Sequence, residues 1–154
     1  MDWEIVNQVV CGALAAAGFG VLFNVGLPAL PWCAASGALA LLVRTLGMRA
    51  GWGLEWASLA AALVLSAAVR LLQPRTGISR NALAVAGCIP MIPGGVATKA
   101  ILGMFSLLSS TAPATPEDLV SLTQNALRVA FTIGAIGTGL AIPTMLQRIR
   151  GPAE

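Results

Sequence analysis

The chain has 154 residues, of which 57% are hydrophobic and 10% are charged, whereas about 25% of residues are charged in soluble domains. A water-soluble fold of this size needs more polar side chains to cover its surface, so the composition excludes a soluble domain and favours a lipid bilayer as the solvent. The nine basic residues outnumber the six acidic ones but form no cluster of the kind that binds nucleic-acid phosphates, so we expect no nucleic-acid partner.

The N-terminal third of the chain predicts two membrane-spanning helices. No charged residue occurs between residues 5 and 43, a stretch that as one helix would be roughly 58 Å long, twice the roughly 30 Å hydrocarbon core. The chain must therefore turn within this stretch. Asn24 and Pro28 are typical of such a turn, because proline removes a helix donor. This predicts spans near residues 5–23 and 31–46.

A third and a fifth span are predicted further along the chain. The third runs near residues 54–72, with Glu55 close enough to its end to reach the polar headgroups. The fifth runs near residues 119–147, most of which carry no charge. Together with the region between them, these spans predict an all-α, polytopic membrane helix bundle of about five spans.

The fourth apolar region, residues 81–110, predicts a broken helix. It is too long for one simple span, and Pro90, Pro93, Gly94 and Gly95 lie inside it. Two full spans do not fit, because each needs about 20 residues. Unsatisfied backbone groups are costly in hydrocarbon, so a break near residues 90–95 is expected to line a polar cavity. Free N–H groups where the helix restarts would attract a carboxylate there. The alternative is a proline kink that only shapes packing.

Five polar side chains complete the predicted binding site. Lys99 adds positive charge about one turn after the break. Arg128, close to Asn125, would cost roughly 2.5–3.5 kcal/mol at the bilayer centre, so it is expected to face a polar cavity. The alternative for Arg128 is a side chain that reaches the membrane interface, and Arg44 and Glu55, near predicted span ends, allow the same alternative.

Enzymatic chemistry is not indicated. The chain contains no His and no Tyr, which removes the commonest general base and the commonest metal ligand. Cys11, Cys33 and Cys88 each lie in an apolar stretch without metal-binding spacing, so we expect them to be small buried hydrophobic residues. We therefore predict no catalytic residue, no metal site and no cofactor.

Small residues spaced four apart predict places where helices approach closely. The sequence leaves open whether the contact is within the chain or with a partner. They are Gly12, Ala16 and Gly20, then Ala130 and Gly134, then Ala135 and Gly139.

Short motifs occur in order along nearly the whole chain: Phe23-Asn24-Val25, Trp32-Cys33 with Gly37 and Arg44, Glu55-Trp56, Ile89-Pro90-Met91-Ile92-Pro93-Gly94, Asn125, and Gly139-Leu140-Ala141-Ile142-Pro143. With these motifs the chain resembles the threonine/serine exporter family, most closely its short, stand-alone YjjB-type members, the small subunits of bacterial succinate exporters. Lys99 and Arg128 fall on no position of the family pattern, and Gly26 stands where proline is expected after Asn-Val.

The resemblance implies a five-helix membrane half, one transmembrane domain over residues 1–154. It would pair with a larger membrane subunit of the same family and export a small anionic metabolite, a dicarboxylate such as succinate, across the bacterial inner membrane. In fused members of the family the two halves form one exporter of threonine or serine, which is the second hypothesis, with Glu55 as the acidic partner of the substrate ammonium. A third hypothesis, of another class, is a membrane scaffold or assembly factor that transports nothing.

Overall fold

The computed structural model describes residues 3–76, 79–109 and 115–150, so both ends of the predicted domain and residue 110 of the predicted fourth span lie outside the described residues. Six α-helices account for most of these ranges, which contain no β-strand. In chain order they are α1 Trp3–Leu22, α2 Leu30–Arg49, α3 Leu54–Thr76, α4 Arg80–Cys88, α5 Gly94–Ser109 and α6 Pro116–Arg150.

The predicted all-α membrane bundle with a broken fourth helix is confirmed. α1, α3, α6 and α2, the last together with the short 3-10 helix before it, are long and apolar enough to cross a membrane singly. α4 and α5 pass the same test as a pair, with a bend of 59° between them. A second 3-10 helix, Ile89–Met91, joins α4 to the break.

Special backbone conformations mark the first two turns. Asn24, after α1, has a φ of 54°, in the left-handed region that asparagine tolerates better than most residues. The Val25 N–H donates to the Gly20 carbonyl oxygen at 2.9 Å, which closes the end of α1, and Pro28 lies in the following 3-10 helix. Gly51, between α2 and α3, has a φ of 86°, which only glycine adopts freely.

α1 and α2 pack antiparallel through small residues. Gly12, Ala16 and Gly20 are buried along one face of α1. A Cβ added to Gly37 of α2 would collide with both the Ala16 Cβ and the Gly12 carbonyl oxygen, and a Cβ added to Gly20 would lie 3.0 Å from the Cys33 Sγ. The close approach predicted for this face of α1 is therefore a contact within the chain.

The two small-residue pairs of α6 behave differently from each other. Gly139 is buried, and a Cβ added there would lie 2.6 Å from the Ala62 Cβ of α3. Ala135, one turn earlier, is half-buried. Ala130 and Gly134 are exposed, and no atom lies within 4 Å of the position of a Gly134 Cβ. Only the pair that ends at Gly139 packs within the described chain.

The direction of α6 shows how α4 and α5 cross the membrane. Glu55 contacts Arg128, and Ala62 contacts Gly139, so residue numbers rise together along α3 and α6 and the two helices are parallel. Parallel spans require that the chain return once between them. The parallel direction of α6 therefore favours one broken span over a re-entrant loop for the bent pair of α4 and α5, which brings the candidate crossings among the described residues to five.

The helix break lies near one end of the layer formed by α1, α2 and α3. Met91 bonds to Arg44 in the last two turns of α2, and Asn7 and Leu54, close to the starts of α1 and α3, border the same groove. The sequence interpretation put the break deep in the bilayer. It lies closer to the bundle end because α4 and the following 3-10 helix run alongside α2 from Ser36, which bonds to the Leu83 carbonyl, as far as Arg44. α5 then packs on α6, and these two helices extend past the turn between α2 and α3.

The alternating directions predict that the α2–α3 and α5–α6 connections lie on one side of the membrane and the α3–α4 connection on the other. We expect a membrane-impermeant maleimide to label Ala50→Cys and Glu117→Cys from the same side, and Ser79→Cys only from the opposite side, in a background whose native cysteines are replaced by alanine. Labelling of Glu117→Cys together with Ser79→Cys would show a re-entrant pair.

The contact between Gly139 and Ala62 predicts a large difference between two neighbouring substitutions on α6. Gly139→Ala should lower the free energy of unfolding by roughly 1–3 kcal/mol, because its methyl group meets the α3 backbone and the Ala62 Cβ. Gly137→Ala meets no atom within 4 Å and serves as the matched control. Thermal unfolding of the detergent-purified protein measures both, and equal midpoints would contradict the prediction.

Candidate functional site at the helix break

A groove of about 640 Å³ opens beside the helix break. Its walls come from the first two turns of α1, the last two turns of α2, the start of α3, the break and the start of α5. Part of the predicted binding site lies here: Arg44, Pro90, Pro93, Gly94, Gly95 and Lys99. The sequence analysis therefore identified residues of α2, of the break and of the start of α5 that the fold places around one groove.

Arg44 holds the break in place. In an unbroken helix the Met91 carbonyl oxygen would accept a hydrogen bond from the N–H of Gly95, four residues later. The break takes that donor away, and an Nη1–H of Arg44 donates to the Met91 oxygen instead, at 2.6 Å. Because Met91 is completely buried, this charge-assisted bond satisfies a carbonyl group that water does not reach.

The start of α5 offers one free N–H group to the groove. The Gly94 N–H donates to the Ile92 oxygen at 2.8 Å, and the N–H groups of residues 96–97 donate to the Pro93 oxygen at 3.1 and 2.9 Å. Among the described residues, the Gly95 N–H has no acceptor. The expectation of several free N–H groups is thus corrected to one, because the turn itself uses the others. Nothing lies within 4 Å of a Cβ position on either glycine, so this backbone is open to a ligand.

The groove carries positive charge only. Arg44 is half-buried in its wall, and Lys99 is exposed on α5, little more than one turn after Gly95. The described residues that line the groove include no Asp and no Glu. Two positive charges without a carboxylate between them attract an anion.

The sequence analysis missed the amide side chains of α1 that also line the groove. Asn7 and Gln8 lie beside Cys11 on its wall. The Thr45 hydroxyl donates to the Gln8 Oε1 at 3.1 Å, and the Cys11 thiol donates to the Asn7 Oδ1 at 3.5 Å. Two adjacent amides inside an otherwise apolar span were the available signal, because polar groups in membrane helices are costly unless they find a partner.

Three predicted site residues lie away from the groove. The Arg128 Nε is 3.6 Å from the Glu55 Oε1, which joins α6 to α3. The Arg128 side chain is 60% exposed, so this pair contributes little to stability. Asn125 is half-buried one turn before Arg128. None of the three lines the groove: Asn125 and Arg128 lie on α6, which packs mainly on α3 and α5, and Glu55 on α3 faces Arg128.

The cysteines divide between the core and the groove. Cys33 and Cys88 are buried, as predicted, but Cys11 is exposed on the groove wall, so the prediction of a buried hydrophobic residue is wrong there. Within the described residues no three side chains of His, Cys, Asp or Glu are grouped so that they could hold a metal ion.

The bond between Arg44 and Met91 predicts that removing the guanidinium weakens the fold. Arg44→Met should lower the free energy of unfolding by roughly 1–3 kcal/mol, because the buried Met91 carbonyl loses its donor. Lys99→Met removes a positive charge from the same groove but no bond to the break, so its thermal midpoint should stay close to that of the unmodified protein. Equal midpoints for the two variants would contradict this role of Arg44.

The sequence was compared with known families and structures. The sequence model of the family described as Threonine/Serine exporter, ThrE, matches residues 8–146. This match runs from the groove residues of α1 to the last turns of α6. No solved structure matches the chain. The family resemblance is confirmed by the match, and the chain belongs to the threonine/serine exporter family.

Proposed function

We propose that the chain is the smaller subunit of a two-subunit exporter that moves small dicarboxylates such as succinate out of the bacterial cell across its inner membrane. Family membership and the helical fold make the chain a multi-pass membrane protein of exporter type. The groove at the helix break is the proposed substrate site.

The charge of the groove supports a dianionic substrate. Arg44 uses one of its five N–H donors on Met91 and keeps the rest for a ligand. Lys99 lies on α5, across the groove from Arg44, and the free Gly95 N–H lies at the start of the same helix. Carboxylates bind guanidinium and ammonium groups through short, charge-assisted hydrogen bonds. A small molecule with two carboxylates therefore matches a groove whose described lining has two positively charged side chains and no acidic one.

The exposed surface of α5 supports a membrane partner. No residue of α5 is buried, and the large apolar side chains of Ile101, Phe105 and Leu108 are more than 60% exposed. A second membrane subunit of the same family would cover α5 and close the groove into a passage between two halves, the arrangement of many transporters built from repeats.

A second candidate substrate, threonine or serine, has support from a different pair of residues. The family description names these amino acids, and a zwitterion needs an acidic as well as a basic partner. Glu55 and Arg128, with their charged atoms 3.6 Å apart, offer both on the contact between α3 and α6. The two candidates therefore use different sites and respond to different substitutions.

Neutralising Lys99 tests the proposed dicarboxylate export. We expect Lys99→Gln to lower succinate efflux about tenfold or more, because it removes one hydrogen bond to a charged group. Lys99→Arg, which keeps the charge, should retain most of the efflux. The measurement uses the source organism with each variant at the native locus, so that any partner subunit is present, and immunoblots of membrane fractions check that the variants are inserted equally.

The alternatives give different outcomes in the same strains. Unchanged succinate efflux in Lys99→Gln at equal membrane abundance would remove Lys99 from the site. Loss of threonine efflux in Glu55→Gln, with succinate efflux absent throughout, would support the amino-acid exporter. If the purified chain and its partner move no solute across any tested gradient in proteoliposomes, the scaffold hypothesis is favoured.

A further inference from the structure

Gln8 has its amide oxygen turned away from the groove. Thr45 is buried on α2 and does not line the groove, and its hydroxyl donates to the Gln8 Oε1 at 3.1 Å. The oxygen of the Gln8 amide is therefore turned toward the contact between α1 and α2. The NH₂ group, which carries two donors, is left on the side of the groove.

Asn7 repeats this arrangement on the neighbouring position. Its Oδ1 accepts from the Cys11 thiol at 3.5 Å, so its amide oxygen is also engaged by a residue of α1. The remaining polar side chains of the groove are those of Arg44 and Lys99, and both donate, as does the Gly95 N–H. The polar side chains of the groove thus present donors to a ligand, and each of the two amide oxygens already accepts one hydrogen bond.

We propose that Gln8, whose amide oxygen is bonded to Thr45, is a specificity-determining residue that makes the groove accept dicarboxylates and reject α-amino acids. A dicarboxylate has only acceptors and finds a donor at each contact. An amino acid of the same size brings an ammonium group, which needs acceptors and is repelled by Arg44 and Lys99, and a buried donor without an acceptor is strongly disfavoured. This inference rests on the groove being the substrate site of the proposed exporter.

Two substitutions that restore an acceptor test the proposal. Gln8→Glu places a carboxylate on the groove wall, and Thr45→Val, close in shape, releases the Gln8 amide so that its oxygen can turn to a ligand. We expect the ratio of succinate efflux to threonine efflux to fall about tenfold or more in Gln8→Glu, and to fall by a smaller factor in Thr45→Val. Gln124→Glu, the same chemical change at an exposed position of α6 outside the groove, should leave the ratio unaltered.

The outcomes separate this inference from the function on which it rests. If the unmodified protein exports succinate in preference to threonine, and neither Gln8→Glu nor Thr45→Val alters that preference at equal membrane abundance, the role of Gln8 is refuted and the dicarboxylate exporter stands. If the unmodified protein exports threonine in preference to succinate, or exports neither solute, the role of Gln8 and the dicarboxylate exporter are both refuted. Thr45→Val adds no charge, so it keeps the test decisive should Gln8→Glu fail to insert.

Discussion

The hydrogen bond from Arg44 to the Met91 carbonyl is the constraint on which the rest of the site depends. A helix that stops inside a membrane bundle leaves carbonyl groups without donors, and in a lipid environment each such group must be satisfied within the protein. Here a neighbouring helix supplies the donor. Because the same guanidinium also lines the groove, one side chain stabilises the break and gives it positive charge. Replacing Arg44 therefore alters the geometry of the break and the charge of the groove together.

The close packing of α1 on α2 also positions the amide side chain of Gln8 at the groove. Gln8, Gly12, Ala16 and Gly20 follow one another at intervals of four residues, so they lie along one face of α1. The three small residues let the two backbones approach, and the approach brings Gln8 within reach of the Thr45 hydroxyl. The amide orientation of Gln8, on which the proposed selectivity rests, thus depends on small residues one to three turns away.

Local signals in the sequence predicted the class of fold and the helix break. Which side chains reach the groove depends on tertiary contacts, which these signals do not contain. The scarcity of charge predicts a membrane bundle, and Pro90 with Pro93 predicts a broken helix, because each acts on its own segment of chain. Whether Arg128 faces the break depends on which neighbours α6 packs against, and α6 packs on α3. The sequence analysis did not assign Asn7 and Gln8 to the site, because their position at the groove depends on which face of α1 packs against α2.

The length of α6 has a mechanical consequence. With 35 residues it is a rod roughly 52 Å long, held on α3 at Gly139 and carrying α5 at its opposite end. Because α5 packs on this end of α6, a displacement of that end would carry Lys99 with it, whereas Arg44 is bonded to Met91 beside α4. Backbone rotation at Gly94 and Gly95, which have no atom within 4 Å of a Cβ position, would accommodate this movement. The two cations of the groove thus lie on helices with different neighbours, since α2 packs on α1, α3 and α4 whereas α5 packs on α6.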